Sequence, residues 1–209
     1  MSSFFPADLS RERTAIVFIE FQNEFTTAGG KLHDAVKPTM EVNNMLQNAK
    51  KVLSAARTTS GSLTIVHAPI TFKDDYRELN GKDLFGILAN VKAGGCFKAS
   101  EWGGAICDDM TPLPEEIVVA GKVGLCGFAS TNLDFLLRQN GITTIALAGF
   151  LTNCCVESTM RAAYEKGYKV ITLTDCCAAT SLEAHEAAIK FTFPMFSVPM
   201  TSDEFLAKI

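Results

Sequence analysis

The chain has 209 residues, 47% hydrophobic and 20% charged, with scattered basic residues and a formal net charge of −4. This fits one domain over residues 1–209, with a core over about 13–199. It argues against a nucleic-acid binder, which needs a basic stripe, and against a membrane-spanning chain, which needs an apolar run of about 18 residues. Residues 1–6 lack the basic leader and apolar length of a secretory signal, so a cytoplasmic location is expected. Seven cysteines, at positions 96, 107, 126, 154, 155, 176 and 177, include two adjacent pairs and no Cys-x-x-Cys spacing. An odd count of this kind argues against a disulfide framework, and the spacing against a structural zinc site.

In chain order, residues 14–19 form a continuous branched apolar run, expected for a strand buried on both faces. Residues 42–58 carry Met45, Leu46, Ala49, Val52 and Leu53 at helical spacing. Gly61 closes that segment, and residues 63–66 read as a second strand. Residues 71–110, with several glycines and the lone Trp102, predict an excursion with one or two short helices that walls a substrate pocket. A short strand follows at 116–120, a helix at 132–139, a strand at 144–149 and a helix at 156–166. The chain then predicts a strand at 169–173, a helix at 181–191, a short strand at 196–198 and a closing turn of helix at 202–207. Alternation of this kind implies right-handed crossovers and an α/β fold: a mostly parallel, Rossmann-like sheet with helices on both faces, in three layers.

Ligands of such sheets bind beyond the carboxyl ends of the strands. Glu20 and Gln22 follow the first strand, Lys122 follows the strand near Ala120, and Cys155 lies in the turn after the strand that ends at Gly149. A carboxylate, an amine and a thiol on one rim have complementary uses. A helix start and an ammonium group lower a thiol's pKa, so Cys155 is expected well below the free value of about 8.5. The carboxylate accepts a proton, and backbone N–H groups at the helix start hold an oxyanion. His67, at a strand end, is read as a hydrogen-bonded residue and His185 as a structural one.

Three segments carry a family resemblance: Ile19-Glu20-Phe21-Gln22-Asn23-Glu24-Phe25; Lys122 with Gly127-Phe128 and Asn132-Leu133; and Gly149-Phe150-Leu151-Thr152-Asn153-Cys154-Cys155-Val156. Gly167-Tyr168-Lys169-Val170, Asp175 and His185 add to it. With these the chain resembles the isochorismatase-like cysteine hydrolases, a family that includes nicotinamidases and N-carbamoylsarcosine amidohydrolases. The resemblance implies a catalytic Glu20–Lys122–Cys155 triad, with the nucleophile on Cys155 rather than Cys154. It also implies a cis peptide between Phe150 and Leu151 and an oxyanion hole from the N–H groups of Leu151 and Cys155. Gln22, Phe25, Trp102, Phe128 and Phe150 are the expected pocket residues. A homo-oligomer, dimer or tetramer, is a further expectation from the resemblance.

The chain departs from the family at Glu20, where Asp is usual, and in lacking the Asp-x-His segment that binds metal in nicotinamidases. No metal and no cofactor are therefore expected, and Asp175 is read as a buttress of the site. The expected partner is a small-molecule substrate, with neither nucleic acid nor membrane involved. The leading activity is hydrolysis of an amide or ureide C–N bond through a thioester. The alternatives are hydrolysis of the vinyl ether isochorismate to 2,3-dihydro-2,3-dihydroxybenzoate and pyruvate, which needs no thiol, and a catalytically silent binding protein or assembly subunit on the same fold.

Overall fold

The computed structural model describes residues 9–58 and 63–209; the readings of residues 1–6 and of Gly61 fall outside them. Its centre is a six-stranded sheet in the order β3-β2-β1-β4-β5-β6. The strands are β1 (Thr14–Ile19), β2 (Thr64–Ala68), β3 (Ile117–Val118), β4 (Thr144–Phe150), β5 (Lys169–Ala178) and β6 (Val198–Met200), and every pairing is parallel. The helices in chain order are α1 (Asn23–Thr26), α2 (His33–Val42), α3 (Met45–Thr58), α4 (Gly86–Gly94), α5 (Leu133–Gln139), α6 (Glu157–Glu165), α7 (Leu182–Ala187), α8 (Phe193–Phe196) and α9 (Ser202–Leu206).

Side chains alternate across each strand, so a sheet covered on both faces sorts them into two cores. Ile16 and Phe18 of β1 join Ala146 and Ala148 of β4 under α2, α3 and α9, against Val36, Leu53 and Phe205. Ala15, Val17 and Ile19 join Ile145 and Leu147 on the other face, under α5 and α6, against Leu137 and Met160. Burial of each large side chain contributes roughly 1.5–3 kcal/mol. Two cores divided by one sheet explain why β1 and β4 are apolar at nearly every position.

Several boundaries differ from the sequence reading. The helix expected over 42–58 is two helices: Asn44 turns left-handed at φ +50° and α3 begins at Met45. Asparagine tolerates that conformation better than most residues. The strand expected over 116–120 keeps only Ile117 and Val118, since Glu116 is bound to Arg57 and His67, and the Ala120 N–H donates to Asn132 Oδ1 (3.0 Å). β5 runs beyond 173 to Ala178, past a register shift opposite Leu147 and Gly149. The helix expected over 181–191 closes at Ala187 and continues as a wide turn through Ala188–Thr192.

The chain builds β1, β2 and β3 outward to one side, then returns to lay β4 against the free side of β1. Strand order reverses between β1 and β4, and the crevice beyond their carboxyl ends is where such sheets bind ligands. The tips approach closely there. Gly149 sits at φ +132°, and a Cβ at that position would lie 1.9 Å from the Ile19 carbonyl oxygen, so only glycine fits.

Candidate active site

Glu20 is the residue after β1. It adopts φ +59°, a left-handed conformation costing non-glycine residues on the order of 1 kcal/mol or more, and its N–H donates to Ala68 O of β2 (3.2 Å). The turn sends the carboxylate into the crevice, where it pairs with Lys122 Nζ. Lys122 lies in the loop after β3; its Nζ also donates to Gly124 O (2.8 Å), and its carbonyl accepts from the Thr71 N–H (3.1 Å). The Glu20 and Lys122 side chains are 3% and 0% exposed. Burial alone would lower the lysine pKa, but the Glu20 charge and hydrogen bond outweigh it and the ammonium form is favoured.

Cys155 lies in the wide turn Thr152–Val156 that leads from β4 into α6. The peptide between Phe150 and Leu151 is cis. Two bonds tie this turn to the Lys122 loop: Thr159 Oγ1 donates to Cys155 O (2.7 Å), and the Gly127 N–H donates to Thr159 Oγ1 (2.8 Å). Behind the turn, Thr152 Oγ1 meets His185 Nδ1 (2.8 Å), and His185 Nε2 meets Asn43 Nδ2 (2.9 Å). His185 is thus a structural link, as expected. Thr152 stands in the Gly149–Val156 motif with no role assigned from sequence, and Thr159, a threonine in the first turn of a helix, has no distinguishing signal there.

The Cys155 thiol does not follow the expectation of a lowered pKa. It is held well above the ordinary value by its hydrogen bond with the Cys154 sulfur, by burial and by the Glu20 charge. Lys122 acts in the opposite direction but is already neutralised by Glu20. Cys154, stabilised as a thiolate by the Cys155 hydrogen bond, is lowered. The surroundings of Cys155 thus disfavour its thiolate.

Glu20 and Cys155 line one cavity of about 210 Å³ at the crevice. Its walls include Phe25, Ile70, Phe97, Leu125 and Leu151. Phe25 alone of the five expected pocket residues lines it. Gln22 is fully buried, with its amide bonded to Ile70 N, Ile70 O and Gly104 O, so it holds the 70–104 excursion in place. Trp102 is 54% exposed at the surface. Phe128 packs on Tyr168 in the opposite core, with ring centroids 5.9 Å apart. Phe150 stacks at 4.8 Å behind Phe25. The excursion does supply a wall, but through α4, and α2 supplies another.

Neighbouring acids have other partners. Glu24 accepts from Lys31 N (2.8 Å) and Phe97 N (3.1 Å). Asp175 binds Ser202 N and Oγ, both at 2.7 Å, and so anchors the start of α9 rather than buttressing the site. His67 Nε2 lies 2.9 Å from Glu116 Oε2. Among the described residues, no group of three or more His, Cys, Asp or Glu side chains converges as a metal site. Nor, among these residues, is any helix long and apolar enough to cross a membrane.

The sequence profile of the isochorismatase domain matches residues 14–204. An uncharacterised isochorismatase family protein of Bacillus subtilis, YwoC, is 30% identical over 200 residues, covering 95% of each chain. The ureidoacrylate amidohydrolase RutB of Agrobacterium fabrum is 30% identical over 180 residues, covering 81% of this chain and 78% of its own. The crystal structure of an isochorismatase-like hydrolase from Alkaliphilus metalliredigens superposes with a TM-score of 0.78 at 27% identity, over 93% of this chain and 97% of that one. This chain belongs to the isochorismatase family, as a hydrolase built on a six-stranded parallel α/β sheet.

Proposed function

We propose that the protein hydrolyses the C–N bond of a small amide or ureide, with Cys155 as nucleophile, Glu20 as proton carrier and Lys122 as the cation paired with Glu20. Cys155 Sγ bonds to the carbonyl carbon while its proton passes to a Glu20 oxygen. Since the Cys154 hydrogen bond, burial and the Glu20 charge disfavour the free thiolate, this transfer accompanies attack. The N–H groups of Leu151 and Cys155 are assigned to the oxyanion. On collapse the C–N bond breaks, and the departing nitrogen takes the proton from Glu20. Water then adds to the thioester carbonyl as its proton passes to Glu20; the C–S bond breaks, Sγ takes that proton, and the acid leaves.

The observation that carries this reading is the meeting of Glu20 and Cys155, from the tips of two adjacent strands, at one cavity, with Lys122 bound beneath them. The relatives named as ureidoacrylate amidohydrolases support the bond type. The test is ammonia release from a panel of small amides and ureides by wild type and Cys155→Ala, with circular dichroism to check folding. Loss of turnover in a folded variant is expected. Retained ammonia release would reject the thioester route in favour of direct attack by water at the carbonyl; no ammonia release in wild type but pyruvate release from isochorismate would favour vinyl-ether hydrolysis, and neither product would favour a silent scaffold.

A further inference from the structure

The cavity above the proposed nucleophile is unusual in its chemistry. Its outer wall is the α4 face carrying Ile87, Leu88 and Val91; Leu32, just before α2, and Ala35 and Val36 of α2 add to it. Apart from Glu20 and Cys155, the polar side chains at its surface are Asn90 and Thr180, both exposed at the mouth. Among the described residues that line it, none is Lys, Arg or His. Four lysines of the surrounding segments have partners outside it. Lys31 bonds Glu101 (3.0 Å), Lys98 bonds Glu101 (2.9 Å), Lys92 bonds Leu79 O (3.0 Å), and Lys37 lies 3.8 Å from Glu41. Lys122, beneath the floor, is paired with Glu20. The ionic groups at the floor thus balance, and a carboxylate entering this cavity would meet one carboxylate and, among the described lining residues, no cation. Burying an unpaired charge is among the most costly events in an apolar site.

From this we infer that the substrate is a neutral carboxamide with an apolar, uncharged body, and that carboxylate-bearing ureides and isochorismate are excluded. The inference rests on the hydrolase reading above and deepens it. It departs from what the name of the Agrobacterium relative implies, because a ureidoacrylate carries a carboxylate. Size agrees with it. An apolar cavity of about 150 Å³ holds benzene, so one of 210 Å³ holds a body of roughly eight or nine non-hydrogen atoms.

A matched pair tests this. 5-Methylhexanamide and glutaramate have the same number of non-hydrogen atoms and differ in ending with an isopropyl group or a carboxylate. The expected result is a kcat/KM for ammonia release on the order of 100-fold or more in favour of 5-methylhexanamide. Leu88→Arg, a half-buried change on the outer wall, is expected to reduce or reverse that preference by supplying a cation. Affinity of both amides for Cys155→Ala, measured by calorimetry, reads the cavity's preference without chemistry. A p-nitrophenyl acetate burst in wild type, absent from Cys155→Ala, reads the nucleophile independently. Equal or tighter binding of glutaramate to Cys155→Ala, or equal or faster turnover, overturns the inference whatever the burst shows. An absent burst with tighter binding of 5-methylhexanamide rejects the nucleophile and supports the inference.

Discussion

Glu20→Gln exchanges one carboxylate oxygen for an amide nitrogen and leaves the Lys122 ammonium, whose side chain is 0% exposed, facing a neutral group. The acceptors it retains are the Gln carbonyl and Gly124 O, at 2.8 Å. Removing one partner of a buried ion pair typically costs about 3–5 kcal/mol, because the other charge stays buried without compensation. The same exchange removes the proton acceptor, worth on the order of 100- to 10,000-fold in rate. The two losses separate in the double variant Glu20→Gln/Lys122→Met. Stability is expected to recover most of that 3–5 kcal/mol, since no uncompensated charge remains, whereas activity stays lost. Glu20→Asp keeps the charge on a side chain one methylene shorter, at a backbone turn that already holds Glu20 at φ +59°, so activity between Glu20→Gln and wild type is expected. Urea unfolding and single-turnover ammonia release are the assays. A Glu20→Gln protein within about 1 kcal/mol of wild type and with wild-type turnover would refute both roles of Glu20. Glu24 would not inherit the base role, because its oxygens are bound to Lys31 N and Phe97 N.

The remaining expectations concern titration and metal dependence. Iodoacetamide is expected to label Cys154 at lower pH than Cys155, because the hydrogen bond between them favours the Cys154 thiolate and holds Cys155 protonated; peptide mass mapping that finds Cys155 labelled first near neutral pH would contradict this. Burial raises the Glu116 pKa, but hydrogen bonds from Arg57, Leu113 N and His67, with the Arg57 charge, outweigh it and hold the carboxyl at about 2. A depressed folded-state pKa stabilises the fold above the unfolded value of about 4.3 and is lost as pH falls toward 2, by up to roughly 3 kcal/mol. Glu116→Gln is therefore expected to flatten stability against pH across that window, read by urea unfolding at stepped pH; an unchanged slope would deny Glu116 this role. Activity is expected to survive chelation by EDTA, since Asp74 is bound to Ser100, Asp75 to Arg77 and His67 to Glu116; loss on chelation with recovery on added divalent ion would reverse that reading.

The sequence by itself determined the sheet and the rim of the site. Continuous apolar strands such as Thr14–Ile19 reveal burial on both faces, and residues at strand tips fall at the ligand-binding edge, which brought Glu20, Lys122 and Cys155 to notice. The resemblance added the cis Phe150–Leu151 bond, which the structure contains. The titration state and the pocket lay beyond sequence reading. Whether Lys122 acts on Cys155 depends on which charge reaches it first, and Glu20 neutralises it in space while standing 102 residues away in sequence. The cavity differs from the expected pocket because a residue's place near the motif does not reveal its side chain's direction. Gln22 and Phe150 point into packing, while Ile87, Leu88 and Val91 of a distant helix turn inward. Strand positions follow from local patterns, but strand order, cavity lining and proton affinity depend on which distant segments come into contact, and only the tertiary structure decides that.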